Sequence, residues 1–364
     1  MLQLGAHVRT SSLVHVDNSS PGITRHARRT GFAYRRPNGR PVSAADLERI
    51  RHLAIPPAWT HVWICPDPRG HLQATGRDAR GRKQHRYHPQ WIAQRDDAKY
   101  TRILEFARAL PRLRERVARD LKAPRLSRRK VVAAVVRLLE RTLIRVGNDE
   151  YARENGSYGL TTFRDRHAHF FGSTVRFTFR GKSGKSHEVS IDDPKLARIV
   201  KQCRDLPGNH LFQYVDERGR ICSIGSSDVN QYLREVTGEG FSAKDFRTWA
   251  ATVLTAQALD ELQHFDSVTQ GQKHVQTAID AVAGLLGNTR AVCRRSYVHP
   301  EVLNAYLDRT LTRALRRKAL GRLQSNTPSL SRTEAAVLAL LHRRLGQRRA
   351  QPRRSTTRVT TAAA

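Results

Sequence analysis

Between residues 132 and 191 the hydrophobic rhythm of the chain changes, and that change limits the folds open to it. Val132, Val136, Leu139, Leu143 and Val146 keep the i, i+4, i+7, i+11, i+14 spacing of one helix face, and Val135 and Leu138 widen the stripe. The spacing predicts a long helix ending near Gly147, with Arg145 in its last turn. From Val175 the period falls to two: Val175, Phe177 and Phe179 alternate with Arg176, Thr178 and Arg180. A Gly181-Lys182-Ser183-Gly184-Lys185 turn follows, then His187, Val189 and Ile191. This alternation predicts a β-hairpin, extended to three strands by the preceding segment from His167 to Phe171. The chain is therefore expected to be α+β.

The flanking sequence fits that class. Residues 1–92 read as a small β-rich N-terminal domain, with turn signals at Pro37-Asn38-Gly39 and Asp67-Pro68-Arg69-Gly70. Ser43 with Leu47, Ile50 and Leu53 predicts a short capped helix between them. From about residue 93 the pattern is mainly helical. Ser242 and Asp245 form a capped start for Phe246, Trp249 and Val253. Val275, Ile279, Val282 and Leu286 mark another helix, closed by Gly287. A domain over 93–323 is expected to contain these helices and the hairpin. A third segment, 324–364, holds a helix begun by Ser331 and Glu334, then a basic tail whose composition predicts disorder.

Charge narrows the partner. The chain carries 65 Lys+Arg against 32 Asp+Glu, a net +33, and charge this one-sided repels itself unless a polyanion compensates it. Nucleic acid is the simplest such partner. A membrane surface is disfavoured, because the sequence shows no long basic amphipathic helix with Trp, Phe and Leu along one side. The longest purely apolar run, Val131 to Val136, is too short to span a bilayer. The cysteines, Cys65, Cys203, Cys222 and Cys293, are scattered without a C-x-x-C pair, which fits a reducing compartment and no zinc site. With no hydrophobic signal core at the N-terminus, a cytoplasmic location at the bacterial nucleoid is expected. His167 and His169 lack further ligands at useful spacing, so no metal and no cofactor are expected.

The candidate chemistry centres on Tyr297, which lies just before Pro300, a residue suited to the first turn of a helix. A phenol, with a reference pKa of about 10, can attack a phosphodiester if fixed cations take up the phosphate charge. Arg145, Lys182 and Arg247 precede it in order, and Asn288 stands nine residues before it. Each alone has an ordinary reading: a helix-end arginine, a solvated turn lysine, a surface arginine. Arg247 near a helix N-terminus makes electrostatic sense if an anion joins it there. Lys182, at the hairpin tip, could deliver a proton to a leaving oxygen. No carboxylate cluster suited to two-metal chemistry is evident.

Four blocks convert these weak signals: RVGNDEYARENGSYGLTTFRDRH, FRGKSGKSHEVS, AKDFRTWAATVL and GNTRAVCRRSY. In order and spacing they resemble the active-site blocks of type IB DNA topoisomerases, the short bacterial and poxvirus-like kind, over roughly residues 10–320. The resemblance implies that Tyr297 forms a 3′-phosphotyrosyl link, that Arg145 and Arg247 bind the non-bridging oxygens, and that Lys182 protonates the 5′-hydroxyl. It implies duplex DNA as partner, no ATP, and a monomer closing on DNA as a clamp. Where the poxvirus pattern has histidine, this chain has Asn288, whose amide donates a hydrogen bond but carries no charge. GRKQHRYHPQW resembles a DNA-touching segment, making Arg82, Gln84 and Tyr87 candidate contacts, with His85 where the viral pattern has tyrosine. Tyr151 matches a base-contacting tyrosine, and Asn148 replaces a basic residue.

Two rivals are weighed. Tyrosine recombinases share the nucleophile and catalytic fold, but usually place histidine three residues before the second arginine, where this chain has Lys244. Their N-terminal domain is helical, whereas residues 1–92 read as β-rich. A non-catalytic nucleoid protein would suit the charge alone and leave the ordered blocks to coincidence.

Overall fold

Glycine-bearing turns and short alternating strands set the first part of the chain. The structure is a computed structural model describing residues 13–262, 264–321 and 330–350. It divides at Tyr100 into two units. In the first, β1 (Ile23–Ala27), β2 (Phe32–Arg35), β3 (Thr60–Ile64), β4 (Leu72–Arg77) and β5 (Lys83–Tyr87) form an antiparallel sheet in the order β2-β1-β3-β4-β5. Gly39, at φ +78°, closes the Pro37 turn after β2. Helix α1 (Ala44–His52) starts where the Ser43 hydroxyl accepts from the Asp46 N–H. Ile50 of α1 joins Ile23, Val62, Ile64 and Ala74 in a small core. Helix α2 (Pro89–Asp120) runs across residue 92 and contains the division at Tyr100.

In the second unit, α3 (Arg128–Thr142) is the central helix. Residues Val131 to Val136 are each at most 1 % exposed, so the short apolar run is a helix buried on all sides. After α4 (Asp149–Asn155) come β6 (Ala168–Phe171), β7 (Thr174–Arg180) and β8 (Ser186–Asp192), an antiparallel sheet in that order. Val175, Phe177 and Phe179 are buried as their alternation requires, and Phe163 packs on Phe177 and Phe179. Helix α5 (Pro194–Arg204) follows, then a small hairpin of β9 (Gln213–Val215) and β10 (Ile221–Ser223) that the hydrophobic pattern does not announce. The remaining elements are α6 (Ser226–Thr237), α7 (Ala243–Glu261), α8 (Val268–Leu286), α9 (Arg290–Ser296), α10 (Pro300–Leu307), α11 (Leu311–Gly321) and α12 (Arg332–Ala350). The expected basic tail after residue 350 lies outside the described residues.

Helix α12 belongs to this core. Its Ala336, Val337, Leu340 and Leu341 are buried there. Ser331 and Glu334 cap it reciprocally. Glu334 also takes two hydrogen bonds from Arg114 of α2 and one from the Trp249 indole of α7. Burial alone would raise its pKa, but the Arg114 guanidinium and these donors hold it below the usual range.

One expectation is corrected. The helix does not reach Gly147: α3 ends at Thr142, and Leu143 turns left-handed at φ +55°. Arg145 therefore lies in an irregular segment, not a helix turn. The reason is tertiary pairing. The Arg145 and Val146 carbonyls accept from the Leu160 and Thr161 N–H groups, and the apolar rhythm of Leu143 and Val146 continues without the helix.

Candidate active site

The segment after α3 is held by glycine. Gly147 adopts φ +103°, open to few other residues, and a Cβ on Gly159 would collide with the Arg145 carbonyl oxygen. This close approach fixes the backbone from which Arg145 projects. Its Nη2 donates to Oδ1 of Asn288 at 2.6 Å. Asn288 sits just past α8, where Gly287 at φ +61° ends the helix and the Asn288 N–H returns to the Ala283 carbonyl. The Asn288 amide nitrogen is buried with no hydrogen-bond partner among the described residues.

Arg247 is 5 % exposed, on the second turn of α7, whose start is the expected Ser242–Asp245 capping box. It is not a surface arginine. Nη1 donates to the Leu143 carbonyl at the end of α3, and Nη2 to the Leu286 carbonyl at the end of α8, 2.7 Å away. Two helix C-termini, each with orphaned carbonyls and negative dipole character, converge on one guanidinium. Its Nε is buried without a hydrogen-bond partner among the described residues. The guanidinium carbon lies 5.4 Å from the centroid of the Tyr297 ring. Burial, then the charge of Arg145, pulls the Arg247 pKa down to about 10, with Tyr297 acting in the opposite sense.

Tyr297 is the C-cap of α9, and Pro300 occupies the first turn of α10 as its φ preference allows. The Tyr297 N–H donates to the Cys293 carbonyl. Its own carbonyl lies 3.2 Å from the hydroxyl of Thr252, which is 2.8 Å from the Thr248 carbonyl and accepts from the His299 N–H. Thr252 is fully buried on α7, so the same helix carries Arg247 and steadies the tyrosine backbone. Sequence reasoning passes over Thr252 and Gly159; a hydroxyl inside the apolar run Ala250-Ala251-Thr252-Val253 is the one clue to the former.

Lys182 lies at the tip joining β7 to β8, exposed, as its turn sequence predicts. The tip closes through Gly181 N–H to Lys185 carbonyl and Gly184 N–H to Gly181 carbonyl. Arg145, Lys182, Arg247 and Tyr297 line one cavity of about 360 Å³, which Lys244, Asn148, Tyr151 and Tyr158 share. Its lining includes four cationic side chains and no carboxylate among the described residues. Such a wall favours an anion the size of a phosphate group, with the phenol beside it.

Other expected residues stand elsewhere. Tyr151 lines the cavity from α4 and is 46 % exposed; Asn148 caps that helix by accepting from the Tyr151 N–H. In the first unit, Arg82 and Gln84 both donate to Asp78, whose pKa falls to about 2, chiefly through the Arg82 bond. Tyr87 does not join them; it stacks with His85 at 5.8 Å. His167 is buried against Tyr158 and Phe163, and its Nδ1 accepts the Arg164 N–H, while His169 is exposed.

Comparison with known proteins places the chain in a family. Residues 83–321 match the model of the eukaryotic DNA topoisomerase I catalytic core, and residues 31–78 that of the bacterial DNA topoisomerase IB N-terminal domain. The chain is similar to DNA topoisomerase 1B of Acanthamoeba polyphaga mimivirus, at 34 % identity over 276 residues, 74 % of this chain and 82 % of the relative. It is similar to DNA topoisomerase 1B of Vaccinia virus (strain Copenhagen) at 21 % identity over 272 residues, 72 % of this chain and 82 % of the relative. A DNA topoisomerase 1 of Mycosarcoma maydis aligns at 24 % identity over 47 % of this chain and 18 % of its own length. The first match spans all of Arg145, Lys182, Arg247, Asn288 and Tyr297. A β-rich first unit, a basic cavity around a tyrosine, and these likenesses lead to one conclusion: the chain belongs to the type IB DNA topoisomerases, DNA-binding isomerases.

Proposed function

We propose that Tyr297 is the nucleophile of this topoisomerase and that Arg145, Arg247, Lys182 and Asn288 complete the reacting constellation. The single observation that carries this is the shared cavity, where Arg145, Lys182, Arg247 and the phenol of Tyr297 meet. The Tyr297 oxygen bonds to phosphorus as its proton passes to solvent water, and the bond from phosphorus to the 5′ oxygen breaks. Arg145 and Arg247 neutralise the non-bridging oxygens, the Asn288 amide donates to one of them, and Lys182 gives its proton to the leaving 5′ oxygen. A 3′-phosphotyrosyl ester replaces a phosphodiester of similar energy, so ATP is not needed. Reversal of the same steps reseals the strand after the free end has rotated.

The enzyme acts as a monomer on duplex DNA, at the bacterial nucleoid. Residues 1–92, with Arg82, Gln84 and Tyr87, serve as one half of a clamp, residues 93–323 are the catalytic domain, and residues 324–364 add the last helix and a basic tail. Tyr151 touches a base near the cut. The test is plasmid relaxation in EDTA without ATP, with denaturant trapping of the covalent adduct. Tyr297→Phe is expected to bind DNA normally, form no adduct and relax nothing. Relaxation surviving that change removes the nucleophile assignment.

A further inference from the structure

We propose that His187 is a positioning residue, holding the hairpin tip that bears Lys182 against the turn that bears Asn288. Its ring lies flat on Phe179, its register partner on β7, with centroids 5.2 Å apart and 17° between planes. Phe179 is part of the core, so this side of the imidazole is anchored. The Nε2 edge of the ring meets two glycines. A Cβ on Gly181 would stand 2.6 Å from Cδ2, and a Cβ on Gly287 would collide with Cε1. Gly181 precedes Lys182 and Gly287 precedes Asn288. The imidazole thus fits between two backbones, each one residue from a member of the constellation. Only residues without a side chain permit so close an approach from both sides.

Polar features of the ring fit a wedge rather than a proton carrier. Nε2 is buried with no hydrogen-bond partner among the described residues. Burial first, then the charges of Arg145, Lys185 and Arg247, lowers the His187 pKa, so the ring is neutral near pH 7. A neutral ring adds no repulsion to the surrounding cations while keeping the tip in place. Displacing it should let Lys182 drift from the 5′ oxygen, and loss of alignment at a reacting centre is costly.

This inference rests on the assignment of Lys182 as the proton donor, and the experiment separates the two. Single-turnover cleavage is measured on duplexes with either an ordinary 5′ oxygen or a 5′ sulfur at the scissile position; sulfur leaves without needing a proton. Lys182→Ala restored by sulfur supports the donor assignment; no restoration refutes that assignment itself. Given restoration, His187→Ala is expected to slow cleavage of the oxygen substrate about 10- to 100-fold, to regain most of it with sulfur, and to keep wild-type DNA affinity. An equal loss on both substrates, or no loss, overturns the positioning role. A second variant guards against misfolding. Gly181 has an extended backbone (φ −92°, ψ −168°), so Gly181→Ala is locally permitted and acts by pushing the ring. It should reproduce the sulfur-sensitive defect alone and add nothing in the His187→Ala background; additive effects contradict the proposal.

Discussion

Arg247 has two commitments that a single point charge could not meet. Its fork ties the last carbonyls of α3 and α8 together, and the same residue lines the cavity. Lysine keeps the charge but not the planar fork. Arg247→Lys is expected to lower stability by about 2–4 kcal/mol, because hydrogen bonds to charged groups contribute about 1.5–3 kcal/mol each. Arg145→Lys, which breaks one side-chain bond to Asn288, should cost less. Chemical denaturation compares them; equal stability of the two variants would refute the helix-end role of Arg247. Thr252 makes a second residue-level case. Thr252→Val preserves shape but removes the hydroxyl that meets the Tyr297 carbonyl and the His299 N–H. A loss of about 1–3 kcal/mol is expected for the buried groups left unpaired. Adduct formation should slow as well, with DNA affinity unchanged in a filter-binding assay.

At the scale of elements, His167 stands just before β6 and fastens the preceding loop by accepting the Arg164 N–H at Nδ1. That bond requires the neutral ring. Burial first, then the charges of Arg166, Arg164 and His169, pulls its pKa from 6.5 down to about 4. The unfolded chain therefore binds more protons than the folded one in this window, and stability rises with pH. Full stability is present above about pH 6.5 and is lost progressively toward pH 4, by about 3 kcal/mol from this residue. His167→Asn, which can accept the same N–H without titrating, should flatten the pH dependence of the melting temperature over that range; an unchanged slope would count against it. The elements themselves were legible to different degrees. Residues whose pattern is local were readable: the alternation of Val175, Phe177 and Phe179, the Ser242–Asp245 box, and Gly287 at the end of α8. The end of α3 was not, because Leu143 and Val146 keep a helical rhythm while their backbone pairs with residues far along the chain. Within the site, the order of basic residues around Tyr297 pointed to the cavity, but nothing local in the sequence marks Arg247 as buried between two helix ends. Gly159, Thr252 and His187 act through contacts that exist only once the chain has folded.

At the scale of the whole molecule, a net charge of +33 makes the grip on DNA an ionic-strength variable. Each phosphate neutralised contributes a slope of about −0.9 in log K against log salt. Affinity should therefore fall steeply and linearly on such a plot, with base-contacting residues changing its intercept more than its slope. A flat salt response would show that the excess charge has another purpose. The last helix carries a different lesson. Glu334 of α12 meets Arg114 of α2 and Trp249 of α7, and Arg114 also pairs with Glu140 of α3. Anyone trimming the enzyme to a minimal nicking fragment would be tempted to stop soon after the nucleophile. Such a fragment would uncover apolar surface under Val337 and Leu341 and remove one of the two carboxylates that hold the Arg114 guanidinium, so it should come out insoluble.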